Sequence, residues 1–283
     1  MICDSFFHQG ITHQVCEDYA LHGDGFAIIS DGCSNGGGPR INSDWGARIL
    51  CKSVEKNISI LDADDDKKPF FYEVGISALE ILNTIGNLKK ECLSATIGMV
   101  YKTKNTINTL LIGDGAVIAK NKNGNLEVKV YEAISGAPFY LKYIICNESN
   151  EYFQKFGNLH RITSYIGNIK DGLQLLKQEK NEINLTSPWF EESFSLDNYE
   201  SVYICSDGIS SFIEKVNTGT SKHTDPVSIV DVLKVLLDGI NYRNNFLQIQ
   251  CNWIFNRATT GTFLHKRWYN SDDFSVAAIN TRN

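Results

Sequence analysis

The sequence predicts an α+β fold over residues 1–283, a single domain with antiparallel strands and helices packed on the outside. Three observations carry this. Strand-like runs dominate both ends of the 283-residue chain, helical patterns fall between them, and no long linker, internal repeat or low-complexity tract divides the chain. Hydrophobic content of 42% and charged content of 21% suit a sizeable buried core.

The elements follow in order. "GFAIISDG" (25–32) is an apolar strand ending in an acid and a turn. "SDWGARILCKSVEKN" (43–57) reads as a helix with Ser43 as cap and with Trp45, Ile49 and Leu50 on one face. "FFYEVGISALEILNTIGNLKKE" (70–91) is a second helix. "CLSATIGMVYK" (92–102) is rich in residues that suit strands. "TINTLLIGDGAVIAKN" (106–121) reads as a strand, a turn at Gly113-Asp114-Gly115 and a return strand. "NLEVKVYEA" (125–133) alternates Leu126, Val128 and Val130 with polar neighbours, the pattern of a half-exposed strand. Residues 152–182 fit helix and strand equally. "SVYICSDGI" (201–209) and "DDFSVAAIN" (272–280) are strands, and "SIVDVLKVLLDGI" (228–240) is a third helix.

Composition excludes several function classes. A net charge of −6 argues against nucleic acid, whose backbone requires clustered Lys and Arg. No apolar run approaches the ~20 residues of a membrane helix. "MICDSFFHQG" lacks a basic start and a long apolar stretch, so no signal peptide is expected and the expected location is cytoplasmic. The 8 cysteines contain no C-x-x-C pair, which fits reduced thiols without a disulfide frame or zinc knuckle.

Two motifs fail on chemistry. In "LDADDDKK" (61–68), Asp62, Asp64 and Asp66 alternate like calcium ligands. The glycine at the sixth position and the closing Glu are absent, so the run reads as a solvated loop. Cys33 and Arg40 bracket "SNGGGP" like a cysteine-phosphatase loop, but six residues separate them where that loop has five. Pro39 also contributes no N–H.

A recurrence is more telling. "ISDG" (29–32) returns as "CSDG" (205–208), "IGDG" (112–115) ends a third strand, "NSDDFSV" (270–276) opens a fourth, and "CEDY" (16–19) adds another pair. One Asp-Gly after a strand is usually a turn. Five acid-bearing strand ends place carboxylates on rigid supports, where like charges repel and raise each other's pKa unless a divalent cation intervenes.

In order and context these motifs resemble those of the metal-dependent PP2C (PPM) family of serine/threonine protein phosphatases, from about Glu17 to Ile279. "CEDY", "IISDGCSNGG", "SATIGMVYKTKNTINTLLIGDGAVIA", "VYICSDGISSF" and "DDFSVAAI" each match a family motif. The resemblance implies an antiparallel β-sandwich flanked by helices on both sides, and two Mg2+ or Mn2+ ions with a weaker third. It implies that Asp31 bridges the two ions and that the Gly32 carbonyl binds the second. Asp207 and Asp272 would complete the first ion's shell. Glu17 would hold the second ion, supported by Asp18, and Asp114 would serve the third. Asp273, beside Asp272, joins the candidate metal acids, although Asn is usual there. Asp31, Asp207 and Asp272 would be catalytic through a metal-activated water. His13 stands where the family has a phosphate-contacting Arg, Cys33 where many members have His, and Ser211 where a later acid serves the third ion. The implied partners are a phosphorylated protein and its cognate Ser/Thr kinase. The alternative is a pseudophosphatase, a binding module with little or no catalysis. "YEAISGAPFY" and "SPWFEESF" are candidate substrate-facing loops; equally, Trp189 and Phe190 would anchor the second on the core.

Overall fold

The computed structural model describes residues 1–33, 42–61, 66–86, 88–169, 174–217, 222–237, 243–256 and 268–281. Its strands are β1 (Ile2–His8), β2 (Tyr19–Gly23), β3 (Phe26–Ser30), β4 (Ile97–Lys102), β5 (Thr106–Ile112), β6 (Gly115–Asn121), β7 (Asn125–Ala133), β8 (Leu159–Asn168), β9 (Gln174–Asn184), β10 (Phe190–Ser195), β11 (Tyr199–Cys205), β12 (Phe212–Asn217), β13 (Lys222–Pro226), β14 (Trp268–Asn270) and β15 (Phe274–Asn280). The helices are α1 (Ser43–Asn57), α2 (Lys68–Ile85), α3 (Leu141–Ile145), α4 (Ser149–Phe156), α5 (Ile229–Leu237) and α6 (Phe246–Asn256). One sheet runs β1-β15-β11-β6-β7-β8-β9, a second β10-β5-β4-β3-β2, and a small third β13-β12-β14. Every pairing is antiparallel. Among the described residues no helix is long and apolar enough to cross a membrane.

The two large sheets pack face to face with helices outside each, and alternation along the strands sorts the side chains. In β3, Ile28 packs with Leu50 of α1 and Phe71 of α2, while Ala27 and Ile29 face the other sheet. In β15, Val276 and Ala278 pack with Leu236 of α5 and Leu247 of α6, while Ala277 and Ile279 face the other sheet. Strands buried on both faces explain why these runs read as continuously apolar rather than alternating. The sandwich with helices on both sides is therefore the architecture observed.

Helix α1 sits unusually close to the chain before β4. A Cβ on Gly46 would lie 1.6 Å from the carbonyl oxygen of Cys92. Gly46→Ala is expected to force these backbones apart and to destabilise the protein by about 1–3 kcal/mol, the scale of overpacking a tight core. Urea denaturation checks this; an unchanged midpoint would contradict the close packing.

Several local expectations change. Ser43 is the first helical residue rather than the cap, a position that Asn42 takes, and its hydroxyl donates to Glu17. Trp45 is exposed, whereas Ile49 and Leu50 are buried. The Gly113-Asp114-Gly115 turn does not close a hairpin. β5 lies in the five-stranded sheet and β6 in the seven-stranded one, so the turn carries the chain from one layer to the other. Gly113, at φ +97°, takes a conformation that suits glycine at this corner. Residues 152–182 resolve into the end of α4, then β8 and β9. The segment "SPWFEESF" anchors on the core: Trp189 packs 5.0 Å from Phe71, and Phe190 lies 4.2 Å from Tyr131.

Candidate metal centre

The register of the two sheets brings the acid-bearing strand ends to one edge of the sandwich. Tyr19 pairs with Ser30, so Glu17-Asp18 and Asp31 leave the five-stranded sheet side by side. Cys205 pairs with both Val276 and Ala116, so Asp207, Asp272-Asp273 and Asp114 cluster at one end of the seven-stranded sheet. Among the bonds that join the layers here, Ser206 Oγ donates to Asp18 Oδ2 at 2.9 Å. Ser206 Oγ also accepts the Ser275 N–H at 2.9 Å, which fixes its lone-pair direction.

Asp31 lies at the centre. Its N–H donates to Thr96 Oγ1 at 3.1 Å and its carbonyl accepts the Thr96 N–H at 2.8 Å, so the backbone is held from both sides. Burial, then the charges of Asp18 and Asp207, raise its pKa well above the ordinary carboxylate range. Burial likewise raises Asp18, despite the hydrogen bond from Ser206. Asp207 is raised by burial and by the charge of Asp272. Asp114 is pushed up to about 7, chiefly by burial and with a contribution from Asp207, although it accepts the Ala133 N–H at 2.8 Å. These acids therefore feel one another.

Their chemistry fits a divalent cation. Asp18 Oδ1 is buried without a hydrogen-bond donor. The Asp18 carboxyl also meets that of Asp31, which is a hydrogen bond only when the pair shares a proton. Oxygen donors massed in this way suit a hard ion such as Mg2+ or Mn2+. Gly32 stands in a narrow passage, where a Cβ would lie 2.7 Å from the Ser43 carbonyl and 2.9 Å from that of Glu17. Its N–H donates to the Glu17 carbonyl at 3.2 Å.

A second group borders the first. His13, Glu17 and Asp273 each offer a ligand atom within 4.8 Å of the others. His13 Nε2 lies 3.3 Å from Asp272 Oδ1 and His13 Nδ1 lies 3.0 Å from Asp273 Oδ2. Burial disfavours the imidazolium, but the bond to Asp273 and the charges of Asp273, Asp272 and Glu17 outweigh it and raise the pKa of His13. The Asp272 side chain is 46% exposed and faces outward. Asp273 differs: Oδ1 accepts the Gly10 N–H at 2.7 Å and Oδ2 accepts the Glu17 N–H at 2.5 Å. Ser211, in place of an acid, ties its turn to this strand, donating to the Gly208 carbonyl at 2.9 Å and accepting the Asp272 N–H at 3.3 Å.

The supporting residues Thr96, Ser206 and Ser43 were not singled out by motif reading, although Ser206 directly precedes Asp207 and Thr96 lies in "SATI". Tyr140 is another. It arrives from the "YEAISGAPFY" segment, is buried, and lies beside Cys33 and near Asp31. Nothing in the sequence links positions 33 and 140. Cys33 itself donates its backbone N–H to the Ser94 carbonyl at 2.9 Å. Arg40 and Pro39 lie outside the described residues, as do Asp62 and Asp64 of the acidic run.

Solved structures align with this chain at low identity. The PPM Ser-Thr phosphatase MsPP from Mycobacterium smegmatis aligns at 14% identity, covering 99% of this chain and 98% of its own, with a TM-score of 0.48. The serine/threonine phosphatase PstP/Ppp of Mycobacterium tuberculosis aligns at 10% identity over 100% and 99%, with a TM-score of 0.43. Stp1 from Staphylococcus aureus aligns at 11% over 99% and 95%, with a TM-score of 0.46. No curated protein sequence matches significantly. The family model for protein phosphatase 2C matches residues 8–235, a span that holds Glu17, Asp18, Asp31, Asp114 and Asp207 and stops short of Asp272. The chain belongs to the protein phosphatase 2C family.

Proposed function

We propose that the chain is a Mg2+- or Mn2+-dependent phosphatase that hydrolyses phosphoserine and phosphothreonine in proteins phosphorylated by a Ser/Thr kinase. One observation carries the reading: the carboxylates of buried Asp18, half-buried Asp31 and solvent-facing Asp207 converge with raised pKa values, a costly arrangement that a divalent cation would relieve. Asp31, Asp207 and Asp272 would hold one ion, and Asp31, the Gly32 carbonyl and Glu17 a second, with Asp18 behind them. Asp114 would serve a weaker third. Bound ions would supply an activated water and neutralise the phosphoryl oxygens. The chain's own residues hold the acids rigid: Thr96 fixes Asp31, Ser206 fixes Asp18 and Ser43 fixes Glu17.

His13 would donate to the substrate phosphoryl group. It lacks the forked, permanent charge of Arg, so its grip is a single charge-assisted bond. His13→Ala is expected to raise KM about tenfold while changing kcat little, the scale of one such bond. Steady-state kinetics on a phosphothreonine peptide checks this, and a loss confined to kcat would move His13 out of substrate binding.

The founding test is hydrolysis of p-nitrophenyl phosphate and a phosphothreonine peptide with Mn2+, with EDTA and with iodoacetamide. Manganese-dependent turnover that survives alkylation is expected. Turnover that survives EDTA and dies with alkylation would return the argument to Cys33. A second reading, a pseudophosphatase, is favoured by His13 lying against acids instead of standing free for phosphate. Mn2+ binding without turnover would select it.

A further inference from the structure

We infer that Asp273 acts as a positioning residue, with its carboxylate serving as one clamp for Glu17 and His13. The inference rests on the metal-dependent reading above and concerns how that site is held.

The geometry shows what the clamp does. Asp273 is only 2% exposed, so its charge must be balanced from within. Two backbone donors and one ion-pair contact do this. Oδ1 takes the Gly10 N–H at 2.7 Å, and Oδ2 takes the Glu17 N–H at 2.5 Å and faces His13 Nδ1 at 3.0 Å. All three come from one loop, residues 10–17, whose two ends are thereby fastened to the start of β15. Other bonds set the loop's register: Ile11 N–H donates to the Asn270 carbonyl at 2.9 Å, Thr12 Oγ1 to the Ser271 carbonyl, and Gln9 Nε2 to the His13 carbonyl at 2.7 Å. The Glu17 side chain thus leaves a backbone fixed by Asp273, and its Oε1 accepts from Ser43 Oγ. The His13 ring is oriented with Nδ1 on Asp273, which leaves Nε2 on the side of Asp272.

Only a carboxylate meets these demands. An amide at position 273 has one oxygen. Its NH2 group would face a backbone N–H or the His13 Nδ1–H, donor against donor. In Asp273→Asn, equal in size, an oxygen kept on the Gly10 N–H puts the NH2 in the place of Oδ2, which serves both Glu17 and His13, so both are expected to be released without opening a cavity. Removing an outer partner of a metal ligand costs roughly 10–100-fold in metal affinity or activity.

The test uses the full chain carrying Asp273→Asn, His13→Gln, or both. In the metal-free wild type, NMR should show a His13 ring resonance shifted by the neighbouring Asp273 carboxylate, identified by its loss in His13→Gln. Asp273→Asn should shift or abolish it. Calorimetry should show Mn2+ bound at least about tenfold more weakly by Asp273→Asn. In kinetics, His13→Gln should add nothing to the KM of Asp273→Asn, because the clamp has already been lost. An unchanged His13 resonance together with unchanged Mn2+ affinity in Asp273→Asn would overturn the inference. So would KM effects that multiply independently in the double variant. If the wild type itself binds no Mn2+ while the resonance behaves as expected, the metal reading fails and the His13 half of the clamp survives.

Discussion

Asp31→Asn is expected to abolish Mn2+-dependent turnover while leaving the metal-free protein folded and at least as stable. Asp31 is the acid nearest the centre of the cluster, and its pKa is raised by burial and by Asp18, Asp207 and Asp272 together. Its two proposed tasks, bridging ions and orienting the attacking water, supply several kcal/mol to a metal-assisted displacement. A fall of at least ~10³-fold in kcat/KM follows. Stability should move the other way. Asparagine keeps the shape and the backbone bonds to Thr96, and cannot take on the charge that burial and its neighbours oppose. Melting temperature in EDTA and peptide kinetics in Mn2+ check the two halves. Normal turnover in Asp31→Asn would show the metal assignment to be wrong. A collapse of the metal-free protein would show that Asp31 is held for structure.

The second large effect is on stability against pH. Asp18, Asp31, Asp114 and Asp207 all have folded pKa values above the unfolded carboxylate value of about 3.9. The folded state therefore retains protons that the unfolded state releases. Their stabilising contribution is fully present below about pH 4 and is lost as pH rises through the folded values, near 7 for Asp114. The metal-free protein should lose on the order of a few kcal/mol between pH 5 and 7.5 from these groups. Saturating Mn2+ should reverse the trend, since it binds only the deprotonated carboxylates of the folded state. The Mn2+-induced rise in melting temperature should thus be larger at pH 7.5 than at pH 5.5. Asp114→Asn should flatten the slope of the metal-free protein. An equal Mn2+ shift at both pH values would contradict the carboxylate site.

The two predictions differ in how far the sequence alone could have reached them. Asp31 was visible as an acid closing an apolar run, and β3 needs no partner to show its character, because Phe26–Ser30 is apolar and branched. Helix α2 was equally plain from its spacing, although it ends at Ile85, six residues short of the expected Glu91, because Gly86 closes it. The pKa shifts were not visible. They depend on burial and on charges that approach only when both sheets stack.

Other residues mark the same divide. Position 43 offers a serine before a helical run, and local chemistry makes it a cap; Asn42 takes that position, and Glu17, 26 residues away, takes the serine hydroxyl. Trp45 sits at the right spacing for the core and is exposed, because α1 turns Ala47, Leu50 and Val54 inward. The Gly113-Asp114-Gly115 turn has the composition of a hairpin, yet it crosses between layers, a choice made by sheet pairing far from the turn. Asp273 read as one more metal acid, and its oxygens are engaged by Gly10 and Glu17.

What the sequence determined by itself was local: the strands and helices that periodicity reveals, the acids at their ends, and the order of motifs that marks the family. Local signals suffice there because side-chain alternation and turn chemistry act over a few residues. The tertiary structure alone decided which acids meet, which are buried enough to repel, and which carboxylate is spent on backbone donors. Those outcomes depend on contacts between residues as distant as Gly10 and Asp273, which neither spacing nor composition encodes.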